Sequence, residues 1–403
     1  MDNTLIEKKV LNLDKSTWKL TKIGELAQDI SKRVENPGDS EYDRFVGLGN
    51  FVSGDLKIKT WETTENLTSS AKAFKAGDIL FARRNAYLRR ASLVDFDGCC
   101  SGDAFVLREN HEKVVPGFLV FLMNSNALWD FANSNAAGTM SKRVKWRDLA
   151  NYEFLLPPKD QQAQLAELLW AMDAVVEETI SVKNSLYVIK KAILKNLFEL
   201  NWSSDTPFLS AFSQKDFSQK KFAEICSESM FGPRFSSKQY SKNGTIACLR
   251  TTDMDLEGNI NFETMPLADL PEGKFKEHYL KTGDILISRS GTCGLTGVFN
   301  GYQIPVLPAA FIIRFRLNEG AYPQYVKLFF NSDYGKSITN SLASGAVQKN
   351  LTSKALLGIK IPIPKRAIQE QIINLVSNLG ISGCTNKIAS SQALQKSLIN
   401  QVF

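Results

Sequence analysis

The feature that most constrains this chain is a long segment, residues 160–198, that contains neither proline nor glycine. It follows Pro157 and Pro158, and its apolar residues recur alternately three and four positions apart, which is the spacing of a coiled-coil seam. At 1.5 Å per residue, such a helix would be roughly 55–60 Å long. Because a helix of that length cannot bury an apolar stripe alone, the sequence predicts a helical partner.

A second segment of the same kind closes the sequence at Phe403. It matches the first at a constant offset of 207 positions, which pairs Pro157 with Pro364, Gln162 with Gln369 and Leu165 with Ile372. We expect the two helices to pair along a seam of Leu165, Leu168, Met172, Val175, Val182, Leu186, Ile189 and Ile193 with Ile372, Leu375, Leu379 and Leu398. Gly380 and Gly383 would each cost roughly 1 kcal/mol inside a helix, so the continuity of the second helix is open there.

The residues before each long helix are also repeated. AGDILFARR at Ala76 matches TGDILISRS at Thr282, and the strand that ends in Arg108 matches the strand that ends in Arg314, both at an offset of 206. One offset kept across several separate motifs indicates an internal duplication. The predicted divisions are a globular domain over 1–158, a spacer helix over 159–200, a second globular domain over 201–364 and a second spacer helix over 365–403.

Composition limits the remaining possibilities. A chain of 403 residues that is 43% hydrophobic can bury two cores of ordinary size. No apolar run is long enough to cross a bilayer and the first residues lack an apolar signal region, so we expect no membrane contact and a cytoplasmic location. The six cysteines form no CxxC pair and there are only two histidines, which argues against a zinc site. A formal charge of +7 favours a polyanionic partner only weakly.

Motifs for catalysis were not found in the sequence. It contains neither the [DNS]-P-P-[YFW] loop of an amino methyltransferase nor the GxxxxGK[ST] loop of an ATP-driven motor. The prediction is therefore a chain that is not an enzyme and holds no cofactor of its own.

Several of these residues carry a family resemblance. The order of a globular domain, a PP-x-x-x-Q stretch entering a long helix, and a second copy of both resembles the specificity (S) subunit of type I restriction-modification enzymes. The GDIL strands, GTMSKRVKW (138–146) and LASGAVQKNLTSKAL (342–356) are similar to pieces of that family's domain. The resemblance implies an α+β fold with two target recognition domains, two long antiparallel coiled-coil helices and a pseudo-twofold internal repeat.

The resemblance also implies a function and partners. Each domain would read one half of a bipartite, asymmetric target in double-stranded DNA, while the helices fix the gap, which the predicted rod bounds near 16 base pairs at about 3.4 Å each. The expected partners are two modification (methyltransferase) subunits, which use S-adenosylmethionine, and two restriction subunits, which use ATP and Mg. Apolar positions beside the seam would dock the modification subunits; they are Leu169, Trp170, Val176, Leu194 and Leu197.

Side chains that can bond to base edges are concentrated in matching loops of the two halves. In the first half the candidate DNA-binding residues are Arg83, Arg84, Asn85, Tyr87, Arg89, Arg90, Ser141, Lys142, Arg143 and Lys145. In the second half they are Arg234, Arg250, Thr251, Arg289, Ser290, Thr292, Gln348, Lys349 and Asn350. Any one of these arginines can equally be solvated surface charge. The competing hypothesis is a two-domain scaffold or adaptor that binds protein or RNA; a nuclease ranks lower because no carboxylate cluster repeats.

Overall fold

A computed structural model describes residues 13–271, 273–343 and 350–403. The chain forms two compact units. Unit 1 consists of Met1–Val182 with Gly383–Phe403, and unit 2 is the continuous stretch Lys183–Ser382. Each unit therefore combines one copy of the repeat with parts of both long helical segments.

Unit 1 is a mixed α+β domain, as the sequence predicts. Its strands are β1 (Lys19–Lys22), β2 (Ala27–Asp29), β3 (Arg33–Val34), β4 (Arg44–Val46), β5 (Glu62–Thr63), β6 (Ala71–Phe74), β7 (Ile79–Ala82), β8 (Ala91–Leu93), β9 (Gly98–Cys100), β10 (Ala104–Glu109) and β11 (Glu153–Leu156). Its shorter helices are α1 (Ile23–Leu26), α2 (Leu119–Leu122), α3 (Asn126–Ser134) and α4 (Trp146–Leu149). The strands form sheets in the orders β2-β10-β7-β8, β3-β6-β9-β4-β5 and β1-β11.

The long helix α5 (Lys159–Glu199) leads from unit 1 into unit 2. The strands of unit 2 are β12 (Ser218–Lys221), β13 (Cys226–Phe231), β14 (Ile246–Leu249), β15 (Leu267–Ala268), β16 (Ile285–Ser288), β17 (Thr296–Val298), β18 (Val306–Pro308), β19 (Ile312–Leu317) and β20 (Lys360–Ile363). Its shorter helices are α6 (Phe222–Ile225), α7 (Pro323–Asn331), α8 (Asp333–Leu342) and α9 (Ser353–Leu357). The sheet orders are β13-β19-β16-β17, β15-β14-β18 and β12-β20, so the four-stranded and two-stranded sheets repeat those of unit 1.

The central strands of the two copies are related by a larger offset than the sequence match indicates. Ala104 lies opposite Ala82 in the β10–β7 pair, whereas Ile312 lies opposite Ser288 in the β19–β16 pair. Ala82 and Ser288 are 206 positions apart, but Ala104 and Ile312 are 208 apart. Unit 2 therefore carries two extra residues before β19, and the predicted match of Ala104 to Ala310 is wrong.

The ion pairs of these strands confirm the corrected offset. Asp78 accepts two hydrogen bonds from Arg108, at 2.8 Å each, and its counterpart Asp284 accepts one from Arg316 at 3.1 Å. Arg316, rather than Arg314, is thus the counterpart of Arg108. Arg314 is fully buried, and its guanidinium donates to the Glu277 carbonyl at 2.8 Å.

Gln162 and Gln369, which the sequence places at matching positions, have the same role in the two units. The amide of Gln162 donates to the Pro157 carbonyl at 2.8 Å, and its oxygen accepts from a backbone N–H, that of Val115, at 2.9 Å. Gln369 bonds in the same way to Pro364 and to the N–H of Tyr322. Both side chains are almost completely buried, so each one satisfies backbone groups that water cannot reach.

The buried face of α5 is rotated by one position from the predicted seam. Leu165 and Ile193 are buried, as are Ile372 and Leu398 of the second helical segment, while Met172, Leu186, Ile189, Leu375 and Leu379 are half-buried. Three predicted seam residues, Leu168, Val175 and Val182, are instead exposed. Their place is taken by Leu169, Asp173 and Val176, which are buried. The seam prediction is wrong at those three positions.

In each unit, part of α5 shares a hydrophobic core with part of the second helical segment. In unit 1, Leu165 and Leu169 share a core cluster with Leu398, and the Gln395 amide donates to the Leu169 carbonyl at 3.2 Å. In unit 2, residues near the end of α5 share a cluster with Ile372. In unit 1 the start of α5 thus lies against the end of the second segment, and in unit 2 the end of α5 shares a core with the start of that segment.

The predicted C-terminal spacer helix over 365–403, whose continuity the sequence leaves open at Gly380 and Gly383, is divided into two helices. Helix α10 (Arg366–Ser377) and helix α11 (Ile381–Val402) are separated by a turn in which Gly380 has φ 78°. This left-handed conformation is inexpensive only for glycine. Gly383, the other glycine considered in the sequence, lies inside α11.

None of the helices in the described parts of the chain is both long enough and apolar enough to cross a bilayer.

Candidate nucleic-acid interface

In unit 1, β7 leads into a loop, residues 83–90, that carries several of the predicted DNA-binding side chains. Asn85 (φ 55°) and Arg89 (φ 49°) adopt left-handed backbone conformations at the two ends of a single helical turn, Ala86–Leu88. For residues other than glycine this conformation costs roughly 1–2 kcal/mol. Such strain persists only where surrounding contacts hold the backbone in place, and it is concentrated at functional sites.

Those contacts come from a second predicted segment, residues 137–145. Arg84 and Arg143 form an antiparallel backbone bridge, and a further bridge joins Ala137 to Arg143. The hydrogen bonds that join the two segments run from Asn85 N to Lys142 O (2.9 Å) and from Val144 N to Arg83 O (2.9 Å). We call residues 83–90 and 137–145 the first loop pair. The fold thus brings two stretches into one surface, although the bridged residues Arg84 and Arg143 are 59 positions apart in sequence.

Asp103 organises the arginines of the first loop pair. Its carboxylate accepts from Arg143 Nε at 2.7 Å and from an Arg143 terminal nitrogen at 3.1 Å, and it lies 3.6 Å from Arg84 and 3.9 Å from Arg83. The hydrogen bonds from Arg143 lower the pKa of Asp103, so this carboxylate is ionised at neutral pH. Arg84 also donates to the Ser141 hydroxyl at 3.1 Å.

Arg89 and Arg90 are committed to contacts within the protein. Arg89 donates to Asn126 at 2.7 Å and to Asp130 at 2.8 Å, both on α3, and Arg90 donates to the Leu48 carbonyl at 2.8 Å. These two arginines anchor the C-terminal end of the strained turn. We therefore expect them to shape the loop rather than to contact bases.

The side chains that the first loop pair presents to solvent are of two kinds. Tyr87 and Met140 are large and apolar, with exposed fractions of 68% and 98%. Lys142 and Lys145 are exposed cations. Exposed lysines that flank base-reading side chains are suited to phosphate contacts, which position a protein on DNA without reading its sequence.

Unit 2 contains the equivalent arrangement. Ser290 and Asn350 form an antiparallel backbone bridge, and Leu351 N donates to Arg289 O at 2.9 Å, as Val144 does to Arg83 in unit 1. We call residues 288–294 and 350–351 the second loop pair. The Arg289 guanidinium stacks on the Phe231 ring at 4.7 Å. Ser290 itself is buried, so its side chain is not presented to solvent.

Most of the other predicted residues of unit 2 belong to segments other than the second loop pair. Arg250 donates to Asp253 at 2.7 Å and to the Thr264 carbonyl at 2.8 Å, which holds it against its own loop. Thr292, which belongs to the second loop pair, is exposed, and so is Arg234, which does not. Thr251 is half-buried, and Gln348 and Lys349 lie outside the described residues.

Two residues at these surfaces were missed by sequence reasoning. One is Asp103, whose ion pairs are formed with distant loops and leave no local pattern. The other is Phe311, which is 53% exposed and whose carbonyl accepts from Arg289 N at 2.9 Å. The apparent match of Phe105 to Phe311 concealed it, because Phe105 is a buried core residue.

The cysteines and histidines described next are buried or contact other groups of the protein. Burial raises the pKa of the Cys99 thiol to about 11 and that of Cys100 to about 12, which keeps both protonated. His111 lies 3.5 Å from the buried Glu109 carboxylate, and the Nδ1 of His278 lies 2.9 Å from the Phe231 carbonyl. Within residues 13–271, 273–343 and 350–403, no group of three His, Cys, Asp or Glu side chains is placed to hold a metal ion.

Two copies of one α+β domain, each with a pair of polar loops joined by the same backbone bridge, define a duplicated protein. Comparison with known proteins makes this class specific. The chain belongs to the family of the type I restriction modification DNA specificity domain, which matches residues 15–186 and 213–392. The predicted family and its role in DNA sequence recognition are thereby confirmed.

Curated relatives are similar over much of their length. The chain is 24% identical over 304 residues to the type I restriction enzyme MjaVIII specificity subunit of Methanocaldococcus jannaschii, which covers 68% of each protein. It is 24% identical over 381 residues to the EcoKI specificity subunit of Escherichia coli, which covers 88% of this chain and 79% of that one. The match to the Escherichia coli EcoDI specificity subunit is shorter, 22% over 204 residues, and covers 48% of this chain and 45% of that one.

Solved structures share the fold. The S subunit of a type I restriction-modification system from M. genitalium superposes with a TM-score of 0.58 at 17% identity, over 98% of both chains. A chain from a study of complex assembly and conformational transition in a type I R-M system gives 0.59 at 20% identity, over 96% of this chain and 97% of that one. The predicted α+β two-domain architecture is confirmed.

Proposed function

We propose that each unit reads one half of a bipartite, asymmetric target in double-stranded DNA and so supplies sequence recognition to a type I restriction-modification enzyme. The observation that carries this proposal is the repeated loop pair. The same backbone junction occurs as Arg84 with Arg143 in unit 1 and as Ser290 with Asn350 in unit 2. Because the junction is shared and the side chains differ, the two half-sites are expected to differ in sequence.

The chemistry of the first loop pair supports contact with duplex DNA. The side chains of Arg143 and Arg84 are each 41% exposed, and arginine is the side chain that most often reads guanine. Lys142 and Lys145 add exposed positive charge next to them. None of the contacts described favours a scaffold that binds protein or RNA.

We further propose that an exposed apolar stripe on α5 docks the modification subunits. Leu168, Val175 and Val182 are spaced seven residues apart. Their exposed fractions are 40%, 42% and 47%, respectively. A heptad spacing places them on one face of the helix. Exposed apolar stripes of this kind are typical of protein interaction sites. The flanking residues expected from the sequence do not fit this role, because Leu169 and Val176 are buried.

In this proposal the chain itself is not catalytic. Two modification subunits would bind S-adenosylmethionine, and two restriction subunits would bind ATP and Mg, in an assembly located in the cytoplasm. Recognition and chemistry would then reside in different chains.

The test is selection from a pool of duplexes with randomised sequence, using the full chain together with its modification subunit. Sequencing of the retained duplexes should return two short, dissimilar motifs separated by unselected bases. Retention of all duplexes to the same extent would refute the proposal. Replacing Arg143 by Ala should alter one motif and leave the other intact, which assigns a half-site to unit 1.

A further inference from the structure

Asp103 and Phe311 occupy the same place in the two units. The carbonyl of Asp103 accepts from Arg83 N at 3.0 Å, and the carbonyl of Phe311 accepts from Arg289 N at 2.9 Å. Arg83 and Arg289 are themselves counterparts at the ends of β7 and β16. The shared backbone bond therefore makes position 311 the equivalent of position 103.

The turn that precedes each residue confirms this equivalence. Ala104 N donates to Ser101 O at 2.9 Å, and Ile312 N donates to Ala309 O at 2.9 Å. Both turns join a strand that runs parallel to its neighbour, β9 beside β4 and β18 beside β14, to the central strand that follows. The same backbone framework thus carries an aspartate in one unit and an exposed phenylalanine in the other.

In unit 1, Asp103 fixes the orientation of a base-reading side chain. It accepts from Nε and from one terminal nitrogen of Arg143, which occupies one edge of the planar guanidinium. The other edge, formed by the two terminal nitrogens, keeps a pair of donors with the geometry that matches guanine O6 and N7. A guanidinium held in this way loses little freedom on binding, so the carboxylate prepares Arg143 for guanine.

In unit 2, both members of this pair are replaced. Phe311 offers a phenyl ring that is 53% exposed, and Asn350 takes the place of Arg143 in the backbone bridge. Asparagine is suited to adenine N6 and N7, and an apolar ring is suited to the thymine methyl group. Neither side chain favours a G·C pair.

We propose that positions 103 and 311 set the base pair that each unit reads at the equivalent point of its half-site. Asp103, acting through Arg143, selects G·C in the half-site of unit 1. Phe311, together with Asn350, selects A·T in the half-site of unit 2. This inference rests on the proposed function, and Asp103 is a positioning residue because it acts through Arg143.

The experiment compares the full chain with its Asp103→Asn and Phe311→Ala variants, each with the modification subunit, by selection from the randomised duplex pool. Asp103→Asn should lower the preference for guanine at one position of one half-site by about tenfold, within the range of a bidentate base contact. Phe311→Ala should lower the preference for A·T at one position of the other half-site. Asp103→Glu, which keeps the carboxylate, should retain more guanine preference than Asp103→Asn.

The control is Asp95→Asn, which removes an exposed carboxylate from the same unit without touching either loop pair. It should return the wild-type motif. The inference is overturned if wild type enriches a two-part motif but Asp103→Asn and Phe311→Ala return it unchanged. It is equally overturned if a variant weakens every position of its half-site alike, since that reports damage to the domain. If wild type enriches no motif, the proposed function fails first and the inference falls with it.

Discussion

Replacing the exposed stripe of α5 tests the docking proposal directly. The perturbation is the triple variant Leu168→Ala, Val175→Ala and Val182→Ala. Covering a whole Leu or Val side chain contributes about 1.5–3 kcal/mol. With 40–47% of each residue still exposed, the part that a partner can cover is worth about 0.6–1.4 kcal/mol per residue.

Together the three changes should weaken binding of the modification subunit by about 2–4 kcal/mol, which is roughly 30- to 700-fold in Kd. The free chain should also lose some stability, because more than half of each residue is already covered in it, although the high helix propensity of alanine offsets part of that loss. Isothermal calorimetry with the modification subunit measures the first effect, and thermal unfolding of the free chain measures the second.

A matched control is Val176→Ala, which removes a neighbouring side chain that is only 3% exposed. It should lower stability by about 1–3 kcal/mol because it leaves a cavity, with a smaller effect on the Kd of the folded chain. The reasoning is refuted if the triple variant binds the modification subunit like wild type. It is also refuted if Val176→Ala, measured on folded chain, weakens binding of the modification subunit as much as the triple variant does.

Three further predictions concern charge, pH and backbone. Lys142→Ala and Lys145→Ala should each weaken binding to all duplexes and reduce the slope of log K against log salt by about 1, measured by titration at several salt concentrations. Burial raises the pKa of Asp173, so ionisation of this carboxyl group destabilises the fold as the pH rises through its folded-state pKa. Asp173→Asn should therefore raise the unfolding temperature at pH 7. This gain should vanish below about pH 4, where the carboxyl group is protonated in both the folded and the unfolded chain. Gly258→Ala should destabilise unit 2 strongly, because a Cβ there would lie 1.8 Å from the carbonyl oxygen of Thr296 in β17. Gly54→Ala has open space around its Cβ, so it should cost only the roughly 1–2 kcal/mol of a left-handed backbone conformation. Chemical unfolding measures both changes.

The duplication was predictable because it depends on residues with the same backbone task in each copy. Gln162 and Gln369 each satisfy a carbonyl five residues before them and an N–H from a distant loop. Asp78 and Asp284 each receive an arginine from the neighbouring strand. Such tasks fix the residue type, so the pattern is visible in the sequence.

The face of α5 was not predictable from apolar spacing alone. Its apolar residues form two adjacent stripes, one through Leu168 and Val175 and one through Leu169 and Val176, and both have the spacing of a seam. The buried stripe also contains Asp173, whose polar side chain sequence reasoning assigns to the surface. Only the packing against Gln395 and the neighbouring core shows which stripe is inside.

The candidate site was predictable as a set of loops but not as a set of contacts. The arginine-rich run after β7 identified the first loop pair, but which guanidinium groups are free depends on acceptors far away in sequence. Arg89 finds Asp130 on α3, and Arg143 finds Asp103 at the start of β10. No local sequence pattern predicts these ion pairs, because their partners are distant in sequence.

The turn at Gly380 is a position where the chain can accept inserted residues. An extra residue within the last turns of α5 would swing Leu194 and Leu197 about 100° out of their core, whereas residues added beside Gly380 would enlarge a turn in which a Cβ meets no neighbouring atom within 4 Å. Insertions and deletions among natural variants should therefore accumulate between α10 and α11 and be rare in α5.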